Sequence, residues 1–199
     1  SPALTAIGTA SIGIAVSGGA FLSNATYGGQ SPTRQNVVTG GLTPAQFSIF
    51  QLVDFTSQTG SVATTISLPT AVPGAQFRLF DVDYAAGQFA DRVTVTGSYN
   101  GAPVTPVLTN GTANYVIGNS AYGDVLSTDA SGNGNITVTF TAPVDTIVID
   151  YGSHALAPAN PGQQGMAIHD ILFCRPTANL TIAKTSSVVS DPVNGTTNP

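Results

Sequence analysis

The stretch Arg92 to Leu108, RVTVTGSYNGAPVTPVL, decides the fold class. Val93 and Val95 point one way and Thr94 and Thr96 the other, the two-residue period of a strand. Valine and threonine fit a pleated, half-buried surface. Asn100-Gly101 then supplies the pair that tolerates the left-handed backbone of a two-residue hairpin, and the chain returns through Val104 to Leu108. An antiparallel pair with one apolar face needs a second apolar layer against it.

The same pattern extends along the chain in both directions. Gln46 to Phe55 (QFSIFQLVDF) is apolar on much of both faces and reads as a central strand. Ser61 to Leu68 (SVATTISL) follows a Gln-Thr-Gly turn. Gln76 to Asp83 (QFRLFDVD) sets Phe77, Leu79, Asp81 and Asp83 on one side and Arg78, Phe80 and Val82 on the other. A weaker pair, Tyr115 to Ile117 and Asp124 to Leu126, precedes the turn at Gly132 to Gly134. Asn135 to Thr141 and Thr146 to Tyr151 flank Ala142-Pro143, and Met166 to Cys174 is the last strong strand. Short antiparallel strands between Gly/Pro turns predict an all-β, two-sheet antiparallel sandwich. Residues 31–176 read as that sandwich. Residues 1–30 read as an N-terminal arm or first strand, and 177–199 as a C-terminal strand and linker.

Composition agrees and narrows the partners. The chain has 199 residues, Lys+Arg 5 against Asp+Glu 10, a net charge of −5 and only 8% charged residues, against about 25% in an ordinary soluble domain. Every acid is Asp, Lys184 is the only lysine, and Trp is absent. The scarcity of Glu, Lys and Arg speaks against helices. Five basic residues with a pI near 4.4 cannot track a phosphate backbone, so nucleic acid is excluded as a partner. No apolar run approaches the roughly 18 residues of a transmembrane segment. The chain begins Ser1-Pro2 rather than with Met, as a secreted chain does after its targeting segment is removed, although an expressed fragment reads the same. One cysteine rules out an internal disulfide framework. Cys174 reads as a small apolar residue closing the last strand, or as a thiol that pairs between molecules.

Phe80 to Val95 (FDVDYAAGQFADRVTV), Asn135 to Tyr151 (NITVTFTAPVDTIVIDY) and Gly165 to Cys174 (GMAIHDILFC) resemble the jelly-roll-like N-terminal domains of large bacterial surface proteins. The tail Ala178 to Pro199 resembles the start of an Ig-like conserved-repeat domain, although the sequence ends before a full repeat. The resemblance implies a sandwich of jelly-roll type with extended terminal arms, in a secreted protein of the cell surface without enzymatic activity.

Asp81, Asp83 and Asp91 form a D-x-D-x7-D string at the end of one predicted strand and the start of the next. Clustered carboxylates with backbone carbonyls suit calcium, a hard cation that takes six to eight oxygen ligands. The spacing is not that of an EF-hand. Ile168-His169-Asp170-Ile171 resembles the last strand of jelly-roll binding modules, which adds Asp170 to the candidate ligands of a structural calcium. The plainer reading has Asp81 and Asp83 capping turns, with Asp91 paired to Arg78 or Arg92. The two histidines, His154 and His169, lack a G-x-S-x-G turn to serve, and no pair of carboxylates is singled out for hydrolysis. Catalysis is therefore not expected. Tyr27, Tyr84, Tyr99, Tyr115 and Tyr122 lie near turns and are the candidates for stacking on a sugar ring.

The arms suggest self-association. Ala3 to Val16 is small and apolar, and Asn179 to Lys184 alternates like an edge strand ahead of a polar linker, so either Ala3 to Val16 or Asn179 to Val189 suits donation to a neighbour's sheet. Asn179, Leu180, Ile182 and Val188 are the candidate contact residues. The expected function is a structural subunit of an extracellular fibre or adhesin, assembling into an oligomer or filament. The alternative is a calcium-supported, lectin-like module that binds carbohydrate at a concave site where Tyr, Asn and Asp converge.

Overall fold

The computed structural model describes residues 8–174. In chain order the strands are β1 (Ser11–Ser17), β2 (Gly19–Phe21), β3 (Ser23–Asn24), β4 (Gly29–Gln30) and β5 (Thr33–Gln35), with a 3-10 turn at Ala25–Tyr27. Then come β6 (Ser48–Phe55), β7 (Ser61–Val72), β8 (Gln76–Phe80), β9 (Tyr84–Ala85), β10 (Phe89–Tyr99) and β11 (Ala102–Val104). The last six are β12 (Val107–Asn110), β13 (Asn114–Ile117), β14 (Ser120–Gly123), β15 (Ile136–Thr139), β16 (Val144–Ser153) and β17 (Gln163–Ile168).

Two large antiparallel sheets result. One runs β1-β7-β16-β10-β14-β13, and the other β12-β15-β8-β17-β6-β2. Eight principal strands explain the order. β6 pairs with β17, β7 with β16, β8 with β15 and β10 with β14: first with last, second with second-last, and so inward. That is one long antiparallel ribbon rolled over on itself, with the closing contacts β17·β8 and β16·β10 made within each sheet. The topology is a jelly roll.

The layer between the sheets is apolar. Val62, Val93, Val95, Ile147, Ile149 and Tyr151 of one sheet, with Val53, Leu79, Ile136, Val138 and Met166 of the other, are fully buried. Each such side chain contributes about 1.5–3 kcal/mol by leaving water. The Asn100-Gly101 hairpin forms as the sequence requires, both residues at positive φ (50° and 78°), with Tyr99 paired to Ala102.

Several strands differ in extent from their sequence reading: β7, β10 and β16 run longer, and the return from Asn100-Gly101 divides into β11 and β12. β14 occupies Ser120–Gly123 rather than Asp124 to Leu126, because the two-residue turn Gly118-Asn119 fixes the register Ile117↔Ser120. Val125 and Leu126 are left exposed. β17 ends at Ile168, beyond which only an isolated bridge, Gln76↔Leu172, continues the pairing. Cys174 therefore lies past the strand and is exposed, which corrects its reading as a buried residue. β8 ends at Phe80 because Asp81 takes a left-handed backbone (φ 67°). Leu79 and Phe80 are buried on opposite faces of β8, in separate clusters, and the alternation breaks after them: Val82 joins the cluster of Leu79.

The N-terminal strand belongs to this sheet. β1 pairs with β7 of the same chain from Ser11↔Ser67 to Ser17↔Ser61, and the chain then crosses through Gly18 to β2 on the other sheet.

A Cβ at Gly97 would overlap the ring of the fully buried Phe140. Gly97→Ala is expected to destabilise the fold by about 1–3 kcal/mol through overpacking, measured by urea unfolding. Adding Phe140→Leu should recover part of the loss, and an undiminished loss in the double variant would place its cause elsewhere.

Candidate ligand pocket

The break at Asp81 sends the next three residues away from the sheet and across one end of the sandwich. Asp81, Val82 and Asp83 lie there against the loop from Asp124 to Asn135. Val82 donates to the carbonyl of Gly134 (2.9 Å) and accepts from the Asn114 amide (2.8 Å). The N–H of Ser127 donates to Asp83 Oδ2 at 2.6 Å. From the other side comes the turn Ala25–Tyr27, capped by Asn24, whose side chain accepts from the Thr26 N–H. The Tyr27 hydroxyl donates to Asp129 Oδ2 at 3.0 Å.

These segments enclose a pocket of about 260 Å³. Its walls carry three carboxylates, Asp81, Asp83 and Asp129. Amides come from Asn24, Gln88 and Gln163, while the amide of the buried Gln164 is taken up by Ser153 and the Gly152 carbonyl. The apolar surface comes from Phe50, Phe89 and the ring of Tyr27, which packs 4.7 Å from that of Phe50. Among the described residues no basic side chain lines it.

The electrostatics follow from burial without a cation. Burial, then the repulsion of Asp83 and Asp129, pushes Asp81 up to about 8. Burial raises Asp83 to about 6, against the pull of the Ser127 N–H and with repulsion from Asp129. Tyr27 is pushed up to about 12, by burial first and Asp129 second, so its hydroxyl remains a donor.

The sequence-selected acids separate into three environments. Asp81 and Asp83 face the pocket. Asp91 lies beneath it, fully buried, accepting from the Tyr151 hydroxyl (2.9 Å) on one oxygen and from the Asp83 N–H (3.2 Å) on the other. Its burial holds its carboxyl well above the usual range. It pairs with neither Arg78 nor Arg92, and Arg92 bonds Asp150 instead (2.9 Å). Asp170 is exposed and lines a different cleft. The paired register puts it three to four strand residues from Asp81, about 10–13 Å along β8. Asn179, Leu180, Ile182 and Val188 lie outside the described residues.

Asp129 was not among the acids chosen from sequence. It sits in Asp129-Ala-Ser-Gly-Asn-Gly-Asn135, a turn string dense in oxygen donors, and that density was the available signal. Of the tyrosines considered, Tyr27 reaches the pocket, while Tyr115 and Tyr122 stack on each other across β13 and β14. His154 Nε2 lies 3.0 Å from the Gly123 carbonyl, and His169 Nε2 lies 3.1 Å from Gln46 Oε1. Burial lowers both imidazoles below their ordinary range.

The donor set fits calcium in kind. All candidate ligands are oxygens, the carboxylates lack a cationic partner, and the buried Oγ of Ser127, a residue of the pocket wall, has no hydrogen-bond partner. Among the described residues no three Asp, His or Cys side chains are grouped closely enough to hold a metal ion together, so an ion here would draw most of its shell from neutral oxygens.

The pH dependence has a definite sign. The raised folded-state values mean that between about pH 4 and 8 the folded chain holds protons the unfolded chain has released. This contribution is full below about pH 4 and is lost as pH rises through about 6 and then 8. In a chelator, the thermal midpoint is expected to fall across that range. Asp81→Asn, which tolerates the left-handed backbone, should flatten the fall; an unchanged slope would remove Asp81 as its source. Compared with family models, curated proteins and solved structures, this jelly roll and its acidic pocket find no match.

Proposed function

We propose that the protein is a non-enzymatic, secreted module of the bacterial cell surface, an adhesin domain whose end pocket binds carbohydrate with calcium support. The observation that carries this reading is the convergence of acid, amide, phenol and aromatic ring in one concave site. Sugars present vicinal hydroxyls that carboxylates and side-chain amides bond in pairs, and an apolar ring face that packs on an aromatic. Asp81, Asp83, Asp129 and Gln163 supply the first, and Tyr27, Phe50 and Phe89 the second. At about 260 Å³ the pocket falls below the roughly 300–1,000 Å³ of drug-sized sites, which favours a terminal sugar over an internal stretch of glycan.

Asp81, Asp83, Asp129 and Ser127 line the pocket where the ion would sit, and since no three of its acids are grouped to hold a metal together, neutral oxygens would complete its shell. Bound there, calcium neutralises the facing carboxylates and offers sugar hydroxyls a positive centre. The chain's own groups do the rest: Tyr27 orients Asp129, the Ser127 N–H orients Asp83, and Asp91 fixes the backbone between them. The pocket reading is preferred over a fibre built by donation of the N-terminal strand, which is already paired with its own β7; the C-terminal candidate, Asn179 to Val189, lies outside the described residues.

Calcium chloride at millimolar concentration, the affinity range of extracellular modules, is expected to raise the thermal midpoint at neutral pH. Asp129→Asn should abolish the rise, and immobilised oligosaccharides should retain the wild type only with calcium present. A midpoint indifferent to calcium would sink the ion, and no retention on any sugar in either condition would sink the carbohydrate.

A further inference from the structure

β1 ends the larger sheet. Its inner side is paired with β7 without a bulge, and among the described residues no strand pairs with its outer side. In an antiparallel strand the N–H and C=O of every second residue point the same way, so about half of the β1 backbone groups face outward. The other terminal strands are short: β2 has three residues, β12 four and β13 four. β1 has seven, about 23 Å of edge. Natural edges are blunted by lysine, proline or a bulge. This one has none: Ser11–Ser17 contains no proline, its register is unbroken, and the first charged residue of the chain is Arg34.

The run Ser-Ile-Gly-Ile-Ala-Val-Ser is also symmetrical in kind about Ile14. Gly13 matches Ala15, Ile12 matches Val16, and Ser11 matches Ser17. We propose that β1 pairs antiparallel with the β1 of a second copy, about a two-fold axis at Ile14, joining two sheets into one. On the inner row Ile12 then faces the partner strand's position 16, a β-branched pair of the kind that stabilises sheets. On the outer row the small Gly13 and Ala15 face each other's counterparts.

A second observation points to the same edge. Ile14 and Val16 pack on the core, but Ile12, on the same row, is 49% exposed. It borders an apolar cleft of about 590 Å³ that opens between the sheets and is also rimmed by Phe47 and Leu172. Ile12 brings this cleft to the edge, so a partner strand on β1 would border it and cover Ile12. The contact uses one patch on both copies, so it closes at two and does not propagate.

The test uses the full chain and light scattering across a concentration series. The wild type is expected to be a dimer. Gly13 and Ala15 are exposed on the outer face, and Gly13 has open space where a side chain would go. Gly13→Lys with Ala15→Lys opposes like charges directly across the axis, and dimer dissociation should rise at least about tenfold. Gly13→Lys with Ala15→Asp makes the same positions complementary and should keep the dimer. A monomeric wild type, whose edge is then covered by its own termini, overturns the proposal. A polymer overturns it as well, and so does a dimer indifferent to the paired lysines.

Discussion

The pocket depends on one backbone conformation. β8 carries Phe77 and Leu79 into the core and would carry Asp81 and Asp83 after them if it continued as a strand. Two more carboxylates in the apolar layer between the sheets would cost several kcal/mol each to bury. The left-handed turn at Asp81 removes that conflict. It ends the strand, keeps Phe80 and Val82 buried, and moves the carboxylates to the end of the sandwich.

Asp91 makes this turn durable. A fully buried acid at the start of β10 is unfavourable unless both oxygens are satisfied. Here one accepts from Tyr151, the other from the backbone of Asp83. The anchor ties the segment after β8 to the opposite sheet, and the loop from Asp124 to Asn135 closes over it through Ser127 and Gly134. Truncating Asp91 would leave the Tyr151 hydroxyl and the Asp83 N–H unpaired in the core. Core and site are therefore linked through a single carboxylate.

Most of the long strands were legible because they obey a local rule, two-residue alternation with turn chemistry such as Asn100-Gly101, whereas the two- and three-residue strands β2 to β5 and β9 are too short to show a period. The rolled pairing of first strand with last was expected only through the family resemblance, since alternation alone does not say which strands meet. The site was half legible. Asp81 and Asp83 could be chosen from their spacing, but Asp91 shares that spacing and serves the core. Its partner, Tyr151, is 60 residues away. Asp129 and Tyr27 meet across 102 residues, and only the fold brings them together. Asp170 was chosen by likeness to other last strands, and here that strand ends two residues earlier, on the far side of the register from Asp81.

Scarce charge runs through both proposals. It leaves the pocket carboxylates without a basic partner and the β1 edge without a blocking lysine, so each is left open to an external one. The most direct test of the pocket is an amide-resolved NMR titration with calcium chloride followed by a candidate monosaccharide. Shifts confined to residues 24–27, 81–91, 124–135 and 163–165 are the predicted result. Shifts centred on Asp170 and its neighbours, or none at all, would contradict the account.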